Sequence, residues 1–158
     1  MDSPTPDSVP ADELLRLDRQ VCFAVHGAAR AFDAVYRPLL RELGLTYPQY
    51  LVMLALWEHG TLTVKELGLA LRLDSGTLSP LLKRLEGAGF VRRERDRRDE
   101  RSVTVSPTAA GERLREHALG VPREILAATG MDGEGLAEMR ASLARLTAAL
   151  DAVAPGGR

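Results

Sequence analysis

Cysteine occurs once in this chain, at Cys22, so neither an intramolecular disulfide nor a thiolate metal cage can be built. The three histidines, His26, His59 and His117, lie too far apart to supply metal-ligand spacing. No metal and no cofactor are expected. No apolar run approaches the roughly 18–20 residues that a membrane span needs. Met1 to Pro10 lacks both the basic and the apolar region of a secretory signal, which sets the expectation of a cytoplasmic protein. Positive charge is also in short supply, with a formal net charge of −1. A nucleic-acid role must therefore rest on a local basic patch. Arginine makes up 19 of the 21 basic residues, a bias that suits groove contacts but also follows from genome base composition.

What is present is enough for one domain of ordinary size with a core: 158 residues, 45% of them hydrophobic. Residues 1–10 hold three prolines and two aspartates and read as a disordered lead-in. From Ala11 to Leu43 the apolar spacing is helical (Leu14, Leu17, Val21, Val25, Phe32, Val35, Leu39), with Gly27 and Pro38 as points of kinking or splitting. Thr46-Tyr47-Pro48-Gln49 is a capping-box pattern with proline in the first turn. The helix it opens, to about Glu58, is apolar on every side and belongs in a core. A second capping box, Thr63-Val64-Lys65-Glu66, starts a short helix to about Leu71. Asp74 then caps Ser75 to Glu86, striped by Leu78, Leu81, Leu82 and Leu85. Two short helices joined by three or four residues form a helix-turn-helix.

After Gly89 the period changes to two. Phe90–Arg95 and Arg101–Val105 read as a β-hairpin around a charged turn, Asp96–Glu100. Ser106-Pro107 restarts helix, with Thr108–Ala128 and Gly133–Val153 as two more helices and a loose tail from Pro155 to Arg158. The expected fold is mainly α: a winged helix-turn-helix over 46–107, flanked by dimerisation helices over 11–45 and 108–154.

Opposite the leucine stripe, the second helix of the motif carries Gly76, Pro80 and Lys83, flanked by Ser75, Thr77, Ser79 and Arg84. Small and hydroxyl residues permit close approach to bases, and the cations meet phosphates, as in a helix laid in the major groove. A solvated surface helix would carry a similar face. Between Arg92 and Arg101 stand six arginines and four acids, with Arg97 and Arg98 at the hairpin tip, placed to enter a minor groove. Most charge runs are solvated faces, but a helix-turn-helix directly before this one points to a wing. An Asp99–Arg101 ion pair is expected to shape that wing. One such unit contacts one half-site, and the outer helices carry more apolar surface than one winged unit can bury. The expected assembly is a two-fold homodimer on a palindromic double-stranded operator.

The stretch Leu62-Thr63-Val64-Lys65-Glu66-Leu67, then Leu73 to Glu86, then Asp99-Glu100-Arg101-Ser102-Val103, resembles the MarR superfamily, whose usual mark is the Asp-x-Arg wing. Leu73–Pro80, Cys22-Phe23 and Leu45–Tyr50 resemble its organic hydroperoxide resistance (OhrR) regulators. The resemblance spans about Leu17 to Gly111 in register, and the C-terminal helices match in kind. It implies a repressor, not an enzyme, that leaves its operator when an organic hydroperoxide oxidises Cys22. It further implies that Tyr36 and Tyr47 reach that sulfur from the partner subunit and stabilise the reactive thiolate. Phe23, Val25 and Trp57 would make the surround apolar. Taken alone, a single cysteine on an apolar helix face is usually a small hydrophobe, and a buried tyrosine usually a satisfied one.

Two departures from that pattern stand out. Some members resolve the sulfenic acid with a second cysteine; this chain has none, so a low-molecular-weight thiol is the expected resolving partner. His26 stands where an aromatic such as tyrosine is expected, and a Cys22–His26 pairing competes with a plain core or surface histidine. The alternatives are a MarR-type repressor released by a small aromatic or phenolic ligand, and a thiol peroxidase. The peroxidase lacks both a resolving cysteine and a thioredoxin-like βαβ pattern.

Overall fold

The computed structural model describes residues 10–99 and 101–154. The expectations for residues 1–9, for the tail 155–158 and for Glu100 within the hairpin turn lie outside the described residues. The chain forms two compact units, the first ending at Ala118 and the second beginning at Leu119.

The first unit opens with α1 (Ala11–Leu14), a 3₁₀ turn (Leu17–Arg19) and α2 (Val21–Glu42). The expected single stretch from Ala11 is thus broken before Val21, and neither Gly27 nor Pro38 breaks α2. Local hydrogen bonding decides both points. The Gln20 side-chain amide donates to the Leu14 and Arg16 carbonyls at 2.7 and 2.9 Å, taking up helix-end acceptors. Pro38 removes only the bond to the Ala34 carbonyl, and both residues are exposed, so water replaces it.

Helix α3 (Tyr47–His59) follows, its start fixed by the Thr46 N–H donating to the Gln49 side-chain oxygen at 2.9 Å. It is buried on most sides: Val52, Met53 and Leu56 are inaccessible, and Tyr50 and Trp57 nearly so. Each fully buried side chain of this size contributes about 1.5–3 kcal/mol. Trp57 belongs to this core, its indole N–H donating to the Gly111 carbonyl at 3.0 Å.

Strand β1 (Leu62–Thr63), α4 (Val64–Leu71) and α5 (Ser75–Gly87) come next, then β2 (Val91–Arg95), β3 (Val103–Pro107) and α6 (Ala109–Ala118). The hairpin is antiparallel, with Arg95 opposite Val103 and Arg93 opposite Val105. Three details differ from expectation. A third strand, β1, pairs with the outer side of β3, Leu62 opposite Val105, so the sheet has the order β1-β3-β2. Two residues carry too little periodicity to announce a strand. Second, β3 starts at Val103 rather than Arg101, because the Arg101 and Ser102 amides are spent on Asp99 in the turn. Third, Ser106 and Pro107 finish β3 instead of restarting helix, Pro107 lying opposite Val91.

The root of the wing is clamped to α5. Glu86 accepts from the Arg93 backbone N–H at 3.1 Å and from its guanidinium at 3.0 and 2.8 Å. The Arg93 side chain and its N–H hold the Glu86 carboxyl below the ordinary glutamate range. At the entry to β2, α6 approaches so closely that a Cβ on Gly111 would fall on the Phe90 carbonyl. Thr108 secures that junction, its N–H donating to the same carbonyl at 3.0 Å.

The second unit holds α7 (Gly120–Thr129) and α8 (Gly133–Val153), the latter capped by Asp132, which accepts from the Gly135 N–H at 2.8 Å. The helix expected over Thr108–Ala128 is in fact two, α6 and α7. Pro122 has no N–H for the Ala118 carbonyl, and its ring crowds that position. No helix of the described residues is long and apolar enough to cross a membrane.

Two outcomes follow. Gly111→Ala should lose about 1–3 kcal/mol in denaturant unfolding, because backbone and not a flexible side chain stands in the way. Glu86→Gln should flatten the acid limb of stability. A carboxyl lowered in the folded state stabilises above its unfolded pKa, and that contribution disappears as pH falls through the folded value. Unfolding curves of wild type and variant should therefore differ at pH 7 and converge in acid. A constant gap across pH would refute the clamp.

Candidate DNA interface and thiol site

Helix α5 takes its conformation from a cap and a stripe. Asp74 accepts from the Thr77 N–H at 2.8 Å and from its hydroxyl at 3.0 Å, which hold the Asp74 carboxyl below the ordinary range. Leu78, Leu82 and Leu85 are buried and Leu81 partly so. This rotation leaves Ser75, Gly76, Thr77, Ser79, Pro80, Lys83 and Arg84 exposed, all seven residues expected on the outer face. Between α4 and α5 the turn is three residues, with Arg72 in the left-handed region at φ 57°.

The wing tip spends its acids on its own backbone. Asp96 accepts from the Arg98 N–H at 2.9 Å, and Asp99 from the Arg101 N–H at 3.0 Å. The Asp96 N–H donates to the Ser102 carbonyl at 2.8 Å, closing the turn. The expected Asp99–Arg101 ion pair is replaced by this carboxylate-to-amide bond. Arg97, Arg98 and Arg101 are exposed, with no ion pair to a described residue. Arg93 is withdrawn into the Glu86 clamp, and Arg92 donates to the Ser106 hydroxyl at 3.2 Å. The Glu86–Arg93 pair joins two different elements seven residues apart, so helical or strand periodicity gave no sign of it.

Cys22 lies in the first turn of α2 and is exposed. His26 does not pair with its thiol. The imidazole Nδ1–H donates to the Cys22 carbonyl at 2.7 Å, which leaves His26 bound to backbone. Tyr36 and Tyr47 meet each other, their ring centroids 4.8 Å apart. Tyr36 also approaches Tyr50 at 6.0 Å, and Tyr50 stands edge-on to Trp57 at 6.5 Å. Burial, then the Tyr47 and Tyr50 phenols, push the Tyr36 hydroxyl up to about 12. Tyr47 is raised by burial and by Asp33, and Tyr50 by burial and Tyr47. All three phenols thus keep their protons at neutral pH, the form in which a phenol can donate a hydrogen bond.

The unbroken α2 separates these groups. Cys22 and Tyr36 are fourteen residues apart on one continuous helix, about 21 Å at 1.5 Å per residue. Within one chain the thiol and this phenol do not meet. Beside the phenols lies an open hollow of about 520 Å³ walled by Asp33, Arg37 and Arg41 of α2 together with Tyr36 and Tyr47. Sequence reasoning missed those three charged residues, although their spacing of four puts them on one helix face.

Comparison with known proteins agrees with this architecture. Residues 45–103 match the MarR family. The organic hydroperoxide resistance transcriptional regulator of Bacillus subtilis is 46% identical over 129 residues, 82% of this chain and 88% of that protein. The HTH-type transcriptional regulator TtmR of Methylorubrum extorquens is 51% identical over 140 residues, 89% of this chain and 70% of that one. Among solved structures, reduced AbfR bound to DNA superposes with a TM-score of 0.74 at 33% identity, covering 91% of this chain and 99% of that one. An overoxidised AbfR bound to DNA superposes at 0.69 with 36% identity, covering 87% and 99%. The winged helix, its cationic face and these likenesses meet in one conclusion: the chain belongs to the MarR family, as a transcriptional regulator of the organic hydroperoxide resistance type.

Proposed function

We propose that the protein is a homodimeric cytoplasmic repressor that releases a palindromic operator when an organic hydroperoxide oxidises Cys22. The observation that carries this is the separation along α2. A thiol and its phenol donors held about 21 Å apart in one chain come together when two α2 helices pair antiparallel about a two-fold axis near Ala29, midway between Cys22 and Tyr36. Cys22 then faces Tyr36 and Tyr47 of the partner subunit.

Exposed apolar surface supports the dimer. On α2, Phe23, Val25, Phe32 and Val35 are 36–47% exposed, and Leu40 is its one buried residue. On α8, Met139, Leu143, Leu146, Leu150 and Val153 are exposed at alternating spacings of four and three, the pattern of a helix-pairing seam. A second copy covers both stripes, with the segments 11–45 and 108–154 as dimerisation helices and 46–107 as the DNA-binding unit.

On DNA, the outer face of α5 enters the major groove. Lys83 and Arg84 meet phosphates, while Ser75, Gly76, Thr77, Ser79 and Pro80 lie against base edges. Arg97 or Arg98 enters the minor groove, and Asp99 with Arg101 sets the shape of the turn that presents them.

In the sensing step the Cys22 thiolate attacks the terminal peroxide oxygen. The O–O bond breaks, the sulfur becomes sulfenic acid, and the alkoxide takes a proton and leaves as alcohol. A low-molecular-weight thiol then condenses with the sulfenic acid, forming a mixed disulfide and water. The larger polar group disturbs the phenol contacts and shifts the paired helices that set half-site spacing. The hollow beside Tyr36 and Tyr47 favours one other reading, release by a small phenolic or aromatic acid held by Arg37 and Arg41.

In operator-binding assays, cumene hydroperoxide plus a small thiol should release wild type, dithiothreitol should restore binding, and Cys22→Ser should stay bound. Tyr36→Phe and Tyr47→Phe should slow oxidation by about ten- to a hundredfold, the worth of one hydrogen bond to a charged sulfur. Release of Cys22→Ser by a phenolic acid, with no response of wild type to peroxide, would install the ligand reading instead. Sedimentation showing a monomer at operator-binding concentrations would defeat both.

A further inference from the structure

Pro80 stands inside α5, four residues after Gly76, and both are exposed on the outer face of that helix. A proline has no N–H, so the intrahelical donor that a regular helix would offer the Gly76 carbonyl does not exist. The pyrrolidine ring also crowds that carbonyl and tips it away from the axis. Gly76 carries no side chain to stand between its carbonyl and the groove. A Cβ there would meet the Asp74 carboxylate at 3.1 Å, so glycine preserves the helix cap and the access together. Its neighbour Thr77 has already given its hydroxyl hydrogen to Asp74 at 3.0 Å. Gly76, Pro80 and Lys83 recur at spacings of four and three, which aligns them on one face. The carbonyl that lacks its helical donor therefore belongs to the same exposed face as a cation suited to anchoring phosphate.

We infer that the Gly76 carbonyl, freed by Pro80, is a base-reading acceptor that selects an exocyclic amino group in each half-site. In the major groove such donors are adenine N6 and cytosine N4, so the position it faces prefers A or C over G or T on the contacted strand. Most sequence-specific contacts of a recognition helix come from side chains. Here a main-chain atom reads the base, and the residue that determines the specificity is a proline that donates nothing. The inference rests on α5 docking in the major groove, as proposed above, and is independent of the chemistry of Cys22.

Reduced protein settles the matter by operator selection from random DNA with wild type, Pro80→Ala and Lys83→Ala. Alanine at 80 restores an N–H and suits a helix interior, so the fold is kept, as circular dichroism would verify. Wild type should prefer A or C by about tenfold at one position of each half-site. Pro80→Ala should lose that preference at the position where the amino group is read. Replacing that adenine by purine, or that cytosine by 2-pyrimidinone, removes the amino group and should weaken wild type by the same factor and Pro80→Ala hardly at all. An unchanged selection profile for Pro80→Ala would overturn the inference. So would a relaxed position that prefers thymine and is mimicked by uracil, because the ring of Pro80 would then be reading a methyl group. Lys83→Ala separates the two levels. It should weaken binding to all sequences alike and lower the salt slope by about one if α5 docks as proposed. If it leaves affinity untouched, the docking fails and the inference falls with it.

Discussion

Everything in the first unit leans on a helix that is buried on most of its sides. α3 is packed against α2, α4, α5, β3 and α6, and its Val52, Met53 and Leu56 have no accessible surface. The edge of Tyr47, Leu54 and Glu58 is open to solvent, and the buried sides hold the helix in place because a protein interior is packed to the density of a crystal. Its position sets where α2 holds Cys22 and Tyr36, and where α4 and α5 present the motif. The indole hydrogen bond from Trp57 to Gly111 ties the same helix to the segment that supports the wing. The helix that carries Cys22 and Tyr36 and the helix-turn-helix thus share one support.

A protein with a net charge of −1 obtains a cationic face by where it spends its acids. Asp74 is turned toward the amide and hydroxyl of Thr77, Glu86 toward Arg93, and Asp96 and Asp99 toward amides of the wing turn. Each of these carboxylates lies in α5, at its cap or in the wing turn, and each is engaged by a local donor. The cations nearby, Lys83, Arg84, Arg97, Arg98 and Arg101, are left pointing to solvent. The sign of the face comes from hydrogen-bond geometry more than from composition, which is why the charge total said so little about it.

Legibility followed the range of the interactions. Caps formed by Thr46, Thr63 and Asp74 are closed within three residues, so their pattern in the sequence placed three helix starts correctly. The leucine stripe of α5 was equally local, and with it the seven exposed positions of the outer face. What the sequence hid was non-local or was settled by competition. β1 exists only because β3 pairs with it. The Glu86–Arg93 clamp crosses from helix to strand. Pro38 leaves α2 whole because the carbonyl it orphans is exposed, whereas Pro122, with the same chemistry, coincides with the end of one helix and the start of another. For the thiol, residue types and spacing were legible through the family resemblance. The engagement of His26 with backbone rather than sulfur needed coordinates.

The position of the chain's one tryptophan has a practical side. Trp57 touches Tyr50, which touches Tyr36 and so the phenol pair, while its nitrogen is held by Gly111 beside the base of the wing. Its fluorescence therefore arises from a single, buried fluorophore in the wall between the phenol cluster and Gly111. Polarity changes at that wall shift its emission maximum, loss of the indole bond alters its quantum yield, and excitation of the tyrosines reaches it by energy transfer. The protein carries its own optical gauge, in ring contact with the phenol cluster and hydrogen-bonded to Gly111.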